Sequence, residues 1–181
     1  MTEVFDEISA LYATWGSSTY DERVSQVEHA MQCAMLAQRS GADEHLVAAA
    51  LLHDIGHLLE LERSSGAVSP TRNDSHESTG AAFLGKHFGS AVTAPIALHV
   101  EAKRYLCTVE VGYFATLSEG SIRSLELQGG RMTPDELAWF RSHPAAERAV
   151  ALRRWDEAGK SLSPSGVNFS DFGDIVSRAI R

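Results

Sequence analysis

Cysteine is scarce in this chain. Cys33 and Cys107 are the only two in 181 residues, too few for a disulfide framework or a zinc ribbon, and each sits among apolar neighbours as a buried thiol does. A reducing, cytoplasmic setting is therefore expected. Positive charge is in deficit too: 16 Lys and Arg stand against 24 Asp and Glu, a formal charge of -8. No basic field exists to gather a phosphate backbone, so nucleic acid is not an expected partner. No stretch approaches the roughly 18 consecutive apolar residues of a membrane span, and the first residues lack the basic start and apolar core of an export signal. A membrane is not an expected partner either. Five prolines, and no run of one residue type, exclude collagen-like and low-complexity chains, while 44% hydrophobic and 22% charged residues make a globular composition. A chain this long can bury about 70% of its unfolded surface, and one domain over residues 1–181 is expected, with no repeat or linker.

Strand patterns are also missing, and the expected fold class is all-α, a helical bundle. Val4, Phe5, Ile8, Leu11, Tyr12 and Trp15 recur at steps of three and four up to a break at 16–18. A second helix is expected over 25–39, with Gly41 placed to stop it. A third, capped by Asp43, spans 44–61; it is apolar nearly all round and reads as the spine of the core. Residues 62–74 lack periodicity and read as a long surface loop. Helices resume around 75–87, 91–104 and 109–117, with Pro95 near a helix start. Thr133-Pro134-Asp135-Glu136 is a strong start signal, because Thr caps, Pro suits the first position and Glu closes a capping box. Further helices are expected over 145–158, ended by Gly159, and over 170–180. Phe83, Phe88, Tyr105, Phe114, Trp139 and Trp155 occur at helical spacing and read as core. The glycines within 127–130 read as a turn.

Histidine carries the chemistry. His29, His53, His76 and His99 fall within or at the start of expected helices, about 23 residues apart, so successive helices of an antiparallel bundle can each deliver one imidazole to a common centre. Asp54 stands beside His53 in an otherwise apolar stretch. A lone His-Asp pair is more often a cap or a surface pair, but an ionised carboxylate buried there needs a cation, and a metal is the natural one. Asp156 is the second candidate acid. Imidazoles and carboxylates without thiolates suit iron, manganese or zinc, and ligand type alone does not choose among them.

In the order His29, His53-Asp54, His76, His99, Asp156, the sequence resembles the HD-domain superfamily of metal-dependent enzymes, which implies an all-helical bundle carrying those ligands. Most of that superfamily hydrolyse nucleotides or phosphate esters, so a metal-dependent phosphohydrolase is the alternative function. A narrower resemblance rests on Gln26-Val27-Glu28-His29, Leu51-Leu52-His53-Asp54-Ile55-Gly56-His57, the segment from His99 to Leu106, Leu125-Glu126-Leu127-Gln128-Gly129-Gly130 and Arg154-Trp155-Asp156, which occur in that order over most of the chain. These are similar to the mixed-valent diiron oxygenases of phosphonate catabolism. The resemblance implies an Fe(II)/Fe(III) pair, a small phosphonate substrate, and use of O2 to cleave its C–P bond. His29, His53, Asp54 and Asp156 would hold one iron; Asp54 would bridge to a second held by His76 and His99.

Around the irons, the resemblance implies that His57 reaches the substrate. Lys103, one helical turn after His99, faces the same way and supplies the charge a phosphonate needs. Ser121 and Ser124 match the family's hydroxyl donors, and Arg153 precedes Asp156 by one turn. Arg154 reads as a surface partner. The family's aminated members carry a tyrosine and, three residues later, a glutamate that close over the site. Glu22 matches that glutamate, whereas Thr19 occupies the tyrosine position with Tyr20 displaced by one. Either the loop shifts so that Tyr20 serves, or the closure chemistry differs. Trp15, Tyr20, Asp21 and Glu22 suit a trimethylammonium group, which prefers aromatic faces and carboxylates. The expected substrate is a 1-hydroxy-2-aminoethylphosphonate, with a lean toward the N-trimethyl form giving glycine betaine and phosphate over the primary amine giving glycine. Oligomeric state is not legible.

Overall fold

The helix expected over 44–61 is broken at its functional pair. In the computed structural model, which describes residues 2–19, 22–67 and 75–181, α3 (Glu44–Leu52) stops at His53 and α4 (Ile55–Arg63) begins after Asp54. Asp54 sits at φ -98°, ψ 10°, in the sparsely populated bridge region. In an unbroken helix neighbouring side chains diverge by about 100°; the break lets His53 and Asp54 turn to the same centre. Before them come α1 (Glu3–Trp15) and α2 (Gln26–Arg39), the latter capped by Ser25, whose hydroxyl accepts from Glu28 N. Gly41, at φ 73°, ends that turn as expected. Asp43 caps α3 by accepting from Leu46 N at 2.9 Å. Since α4 runs to Arg63, the loop expected over 62–74 starts later, and 68–74 lie outside the described residues.

After α5 (His76–Leu84), one long helix, α6 (Ser90–Val109), replaces the expected end at 104. Leu106 and Cys107 are buried against Tyr113, Leu117 and Leu125, and that burial favours carrying the helix on. The helix expected over 109–117 is only a 3-10 turn at Tyr113–Thr116, entered through Gly112 at φ 90°. Pro95 lies six residues into α6 rather than in its first turn. Its missing N–H leaves the Ala91 carbonyl open, and Arg148 Nη2 donates to that oxygen at 3.3 Å.

The unforeseen α7 (Glu119–Leu127) follows, capped by Ser118. Its terminal turn contains Gly129 and Gly130, both at positive φ. α8 (Pro134–Ser142) carries the expected capping box between Thr133 and Glu136. α9 (Ala146–Ala158) ends at Gly159, and a 3-10 turn at Phe169–Phe172 leads into α10 (Gly173–Ala179). Among the described residues there is no strand, only an isolated bridge between Phe88 and Ile180, and no helix is long and apolar enough to cross a membrane.

α6 lies along α9, with α3 and α5 against its other sides; α2 packs on α3 and α9, and α10 closes over α3. As expected, the apolar α3 is central: residues 46–52 are all buried. Phe88 is core and Phe83, Tyr105 and Trp155 are partly buried, but Phe114 and Trp139 are exposed. Helical spacing alone does not say which face meets a neighbour.

Glycine sets one crossing. A Cβ on Gly56 would stand 2.7 Å from the His76 carbonyl carbon, and Gly80 lies against Gly56 N from the other helix. The α4–α5 approach is therefore backbone against backbone. Gly56→Ala is expected to cost at least about 2 kcal/mol, lowering Tm by roughly 4–8 °C, as thermal unfolding would measure; an unchanged Tm would contradict the crossing.

Candidate metal centre

Four imidazoles meet where α2, the α3–α4 break, the first residue of α5 and the middle of α6 converge. All four are buried, His53 completely. Three are pinned through one ring nitrogen. His29 Nδ1 donates to Gly159 O at 2.8 Å, His53 Nδ1 to Ala50 O at 3.0 Å and His99 Nδ1 to Ile96 O at 2.7 Å. Each such bond leaves a lone pair on Nε2, the arrangement of metal-ligating histidines. His76 Nδ1 lies 3.6 Å from Glu77 Oε2, and its Nε2 is 3.0 Å from His99 Nε2. His53 Nε2 is buried and has no hydrogen-bond partner among the described residues, an expense that a metal ion would remove.

Asp54 stands between the rings. Its Oδ1 is 3.5 Å from His53 Nε2, 3.6 Å from His76 Nε2 and 3.7 Å from His99 Nε2, while Oδ2 is 3.6 Å from His29 Nε2. Asp156 Oδ1 lies 3.4 Å from His29 Nε2 and 3.9 Å from His53 Nε2. Two sets of donors thus share Asp54: His29, His53 and Asp156 on one side, His76 and His99 on the other. Cys33 is also close, its Sγ 3.7 Å from His29 Nδ1. Its Sγ is 3.8 Å from His29 Nε2 as well, but it donates to Trp155 O, and burial pushes its pKa up, keeping it a thiol.

Burial would raise the Asp54 carboxyl, but the His53, His57 and His76 rings override it and hold it below the usual carboxylate range. Burial opposes ionisation of Asp156 as well; the Arg153 guanidinium and the Lys160 ammonium keep it ionised. His99 moves the other way: burial, then the neighbouring His76 and His53 rings, hold it well below the ordinary imidazole value, so it is the neutral ring that a metal requires. Ser75, directly before His76, is held at φ 50°, a left-handed conformation unusual for a residue other than glycine.

The remaining expected site residues gather beside this centre. His57 stacks on His76 with ring centroids 3.9 Å apart. Lys103 is buried, and its Nζ donates to Ser124 Oγ at 2.7 Å. Arg153, also buried, donates from Nε to Tyr113 OH at 3.2 Å and from Nη2 to Ser121 Oγ at 3.0 Å, and pairs with Asp156 and Glu157. Arg154 is at the surface as expected, where it pairs with Glu110. Glu22 accepts from Ser118 Oγ at 2.7 Å and from Lys160 Nζ at 2.8 Å. Thr19 is exposed, its carbonyl accepting from Glu22 N; Tyr20 and Asp21 lie outside the described residues. Sequence reasoning missed Glu157, Lys160, Tyr113 and Gly159. The spacing of Glu157 and Lys160 from Arg153 and Asp156, along and just past the end of α9, was the available signal.

A helical bundle that gathers four imidazoles and two carboxylates in this way defines the His-Asp class of metal-dependent enzymes. Residues 27–136 match the family model described as HD domain. The hydroxymethylphosphonate dioxygenase of Gimesia maris is 52% identical over 145 residues, 80% of this chain and 72% of that one. The glycine-betaine-forming 1-hydroxy-2-(trimethylamino)ethylphosphonate dioxygenase of Leisingera caerulea is 37% identical over 178 residues, covering 98% and 90%. An uncharacterized protein of Acanthamoeba polyphaga mimivirus is 36% identical over 157 residues, covering 86% and 72%. The chain belongs to the HD-domain family, within the group that holds these phosphonate dioxygenases.

Lys103 places a pH-sensitive charge beside the centre. Burial, and then the Arg153 guanidinium, pull its pKa from 10.5 down to about 7. Between those values the unfolded chain holds the proton that the folded chain has released, so this group's contribution to stability rises with pH over that window. The attraction of its ammonium for an anion would run the opposite way. Phosphate binding followed by calorimetry should weaken as pH rises from 6.5 to 8.5, with a slope that flattens in Lys103→Met. The same slope in the variant would exclude Lys103 as its source.

Proposed function

We propose that this chain uses O2 to cleave the C–P bond of a 1-hydroxyphosphonate, releasing phosphate and leaving C1 as a carboxylic acid. The observation that carries the reading is the pair of donor sets joined by Asp54 beside a buried lysine. Similarity to the two phosphonate dioxygenases supports it. In this reading His29, His53 and Asp156 hold one metal ion, His76 and His99 hold a second, and Asp54 serves both. The orphaned His53 Nε2 and the three pinned rings fit that filling. The ions are an Fe(II)/Fe(III) pair, and when bound they supply the electron exchange with O2 that no side chain here provides.

The chain's own part is to bind and orient. Lys103 and Arg153 bring positive charge to the phosphonate, Ser121 and Ser124 bring hydroxyls, and His57 contacts the substrate from beside His76. Burial of Lys103 and Arg153 keeps water from competing for the anion and strengthens its attraction to both cations. Glu22 and Tyr20 close the site over the bound substrate. The N-trimethyl substrate is the preferred one, supported by similarity to the glycine-betaine-forming enzyme over nearly the whole chain. Hydroxymethylphosphonate, giving formate, is a second reading, favoured by 52% identity to the dioxygenase named for it.

The test is O2 consumption and phosphate release by iron-reconstituted, partly reduced protein. The N-trimethyl, primary-amine and hydroxymethyl substrates are offered in parallel. One phosphate per O2 is expected, with betaine the fastest-formed product. Oxygen-independent phosphate release from a nucleotide or phosphate ester would instead favour the hydrolase. His76→Ala and His99→Ala should each lower metal content toward one ion per chain and abolish O2 uptake; full activity with one ion would exclude the two-metal centre.

A further inference from the structure

Lys160 reads in the sequence as an ordinary lysine just past the end of a helix. The structure leaves its side chain only 13% exposed and surrounds the ammonium with acceptors. Nζ lies 2.8 Å from Glu22 Oε1, 2.8 Å from Ser121 Oγ, 3.1 Å from Ser118 Oγ and 3.4 Å from Glu157 Oε2, with Asp156 Oδ1 at 3.9 Å. These groups come from three separate places: the segment before α2, the first turn of α7 and the last turn of α9. One charge holds them together.

The charges around Ser121 form two groups. Asp156 and Glu157, the latter accepting from Ser121 Oγ at 2.9 Å, are both paired with Arg153 and lie farther from Lys160, at 3.9 and 3.4 Å. Glu22 draws its compensation from Lys160, and through that ammonium it stands within two hydrogen bonds of Ser121 Oγ. A doubly charged anion bound at Lys103, Ser124 and Ser121 therefore has the Glu22 carboxylate for a near neighbour. At such separations, in a partly buried setting, like charges repel strongly unless a counter-charge lies between them.

We propose that Lys160 is the positioning residue that lets this pocket accept a dianion: it neutralises Glu22, its ammonium being bonded both to that carboxylate and to Ser121. The proposal rests on reading the Lys103–Ser121 region as the phosphonate pocket. It carries a sign that a merely structural lysine would not produce. Without Lys160, Glu22 becomes the harmful group, so removing its charge as well should help.

The experiment measures inorganic phosphate binding by calorimetry and hydroxyphosphonate kinetics on the metal-loaded protein, for wild type, Lys160→Met, Lys160→Arg, Glu22→Gln and the double variant Glu22→Gln/Lys160→Met. Lys160→Met should weaken phosphate binding at least tenfold and raise KM by a similar factor, with a smaller fall in kcat. Lys160→Arg should stay within threefold of wild type in phosphate binding. The double variant should bind phosphate better than Lys160→Met does, within threefold of Glu22→Gln. If Lys160→Met does not fold, the arginine and double variants carry the comparison. A double variant no better than Lys160→Met, or an arginine variant that folds and retains its metal yet has lost phosphate binding, would overturn the proposal. Phosphate binding by wild type and Lys160→Met alike would remove Lys160's part and leave the pocket standing. A wild type that binds no phosphate and turns over no hydroxyphosphonate would remove the pocket, and the proposal with it.

Discussion

A carboxylate inside a ring of imidazoles is the constraint around which this fold is arranged. Asp54 lies within 3.7 Å of Nε2 atoms from four different places in the chain, and an ionised group in that setting is stable only with a cation at its centre. The demand reaches outward. The helix must break at His53 and Asp54, α4 and α5 must touch backbone to backbone at Gly56, and Ser75 must adopt a left-handed conformation to start α5 at His76. Each is locally unfavourable, and each serves the approach of donor atoms to one point.

The end of α9 ties the centre to its surroundings. Asp156 faces the rings, Arg153 and Glu157 form the ionic layer behind it, and Gly159 offers its carbonyl to His29. A Cβ at Gly159 would fall 2.6 Å from Cys33 Sγ, so α9 can end this close to α2 only with glycine there. Gln32 then secures the chain beyond it, donating to Ser161 O and Ser163 O and accepting from Ser161 N. The imidazole cluster and the Lys160 network are therefore held by one stretch of backbone, and a disturbance of either should be felt at the other.

Much of the architecture was legible because its signals are local. Asp43, Ser118 and Thr133 each cap a helix through the amide three residues on. The first two helices, α8, α9 and the turn at 127–130 follow from such short-range chemistry, although Ser118 was overlooked beside Gly120. The convergence of the imidazoles was legible through spacing, since four of them about 23 residues apart in helical sequence fall on successive helices of a bundle. Less legible were the end of α6 and the turn after it, where burial against α7 decided between continuing and stopping.

By itself the sequence determined the helical class, most of the caps, and the inventory of imidazoles, carboxylates and cations available for a site, because these depend on residue type and on neighbours within a turn or two. Tertiary structure decided which charge answers which. Glu22 meets Lys160 across 138 residues and His29 meets Gly159 across 130. Periodicity carries no information over such separations: the partners are chosen by how helices pack, and by the cost of leaving any buried charge or polar atom without one.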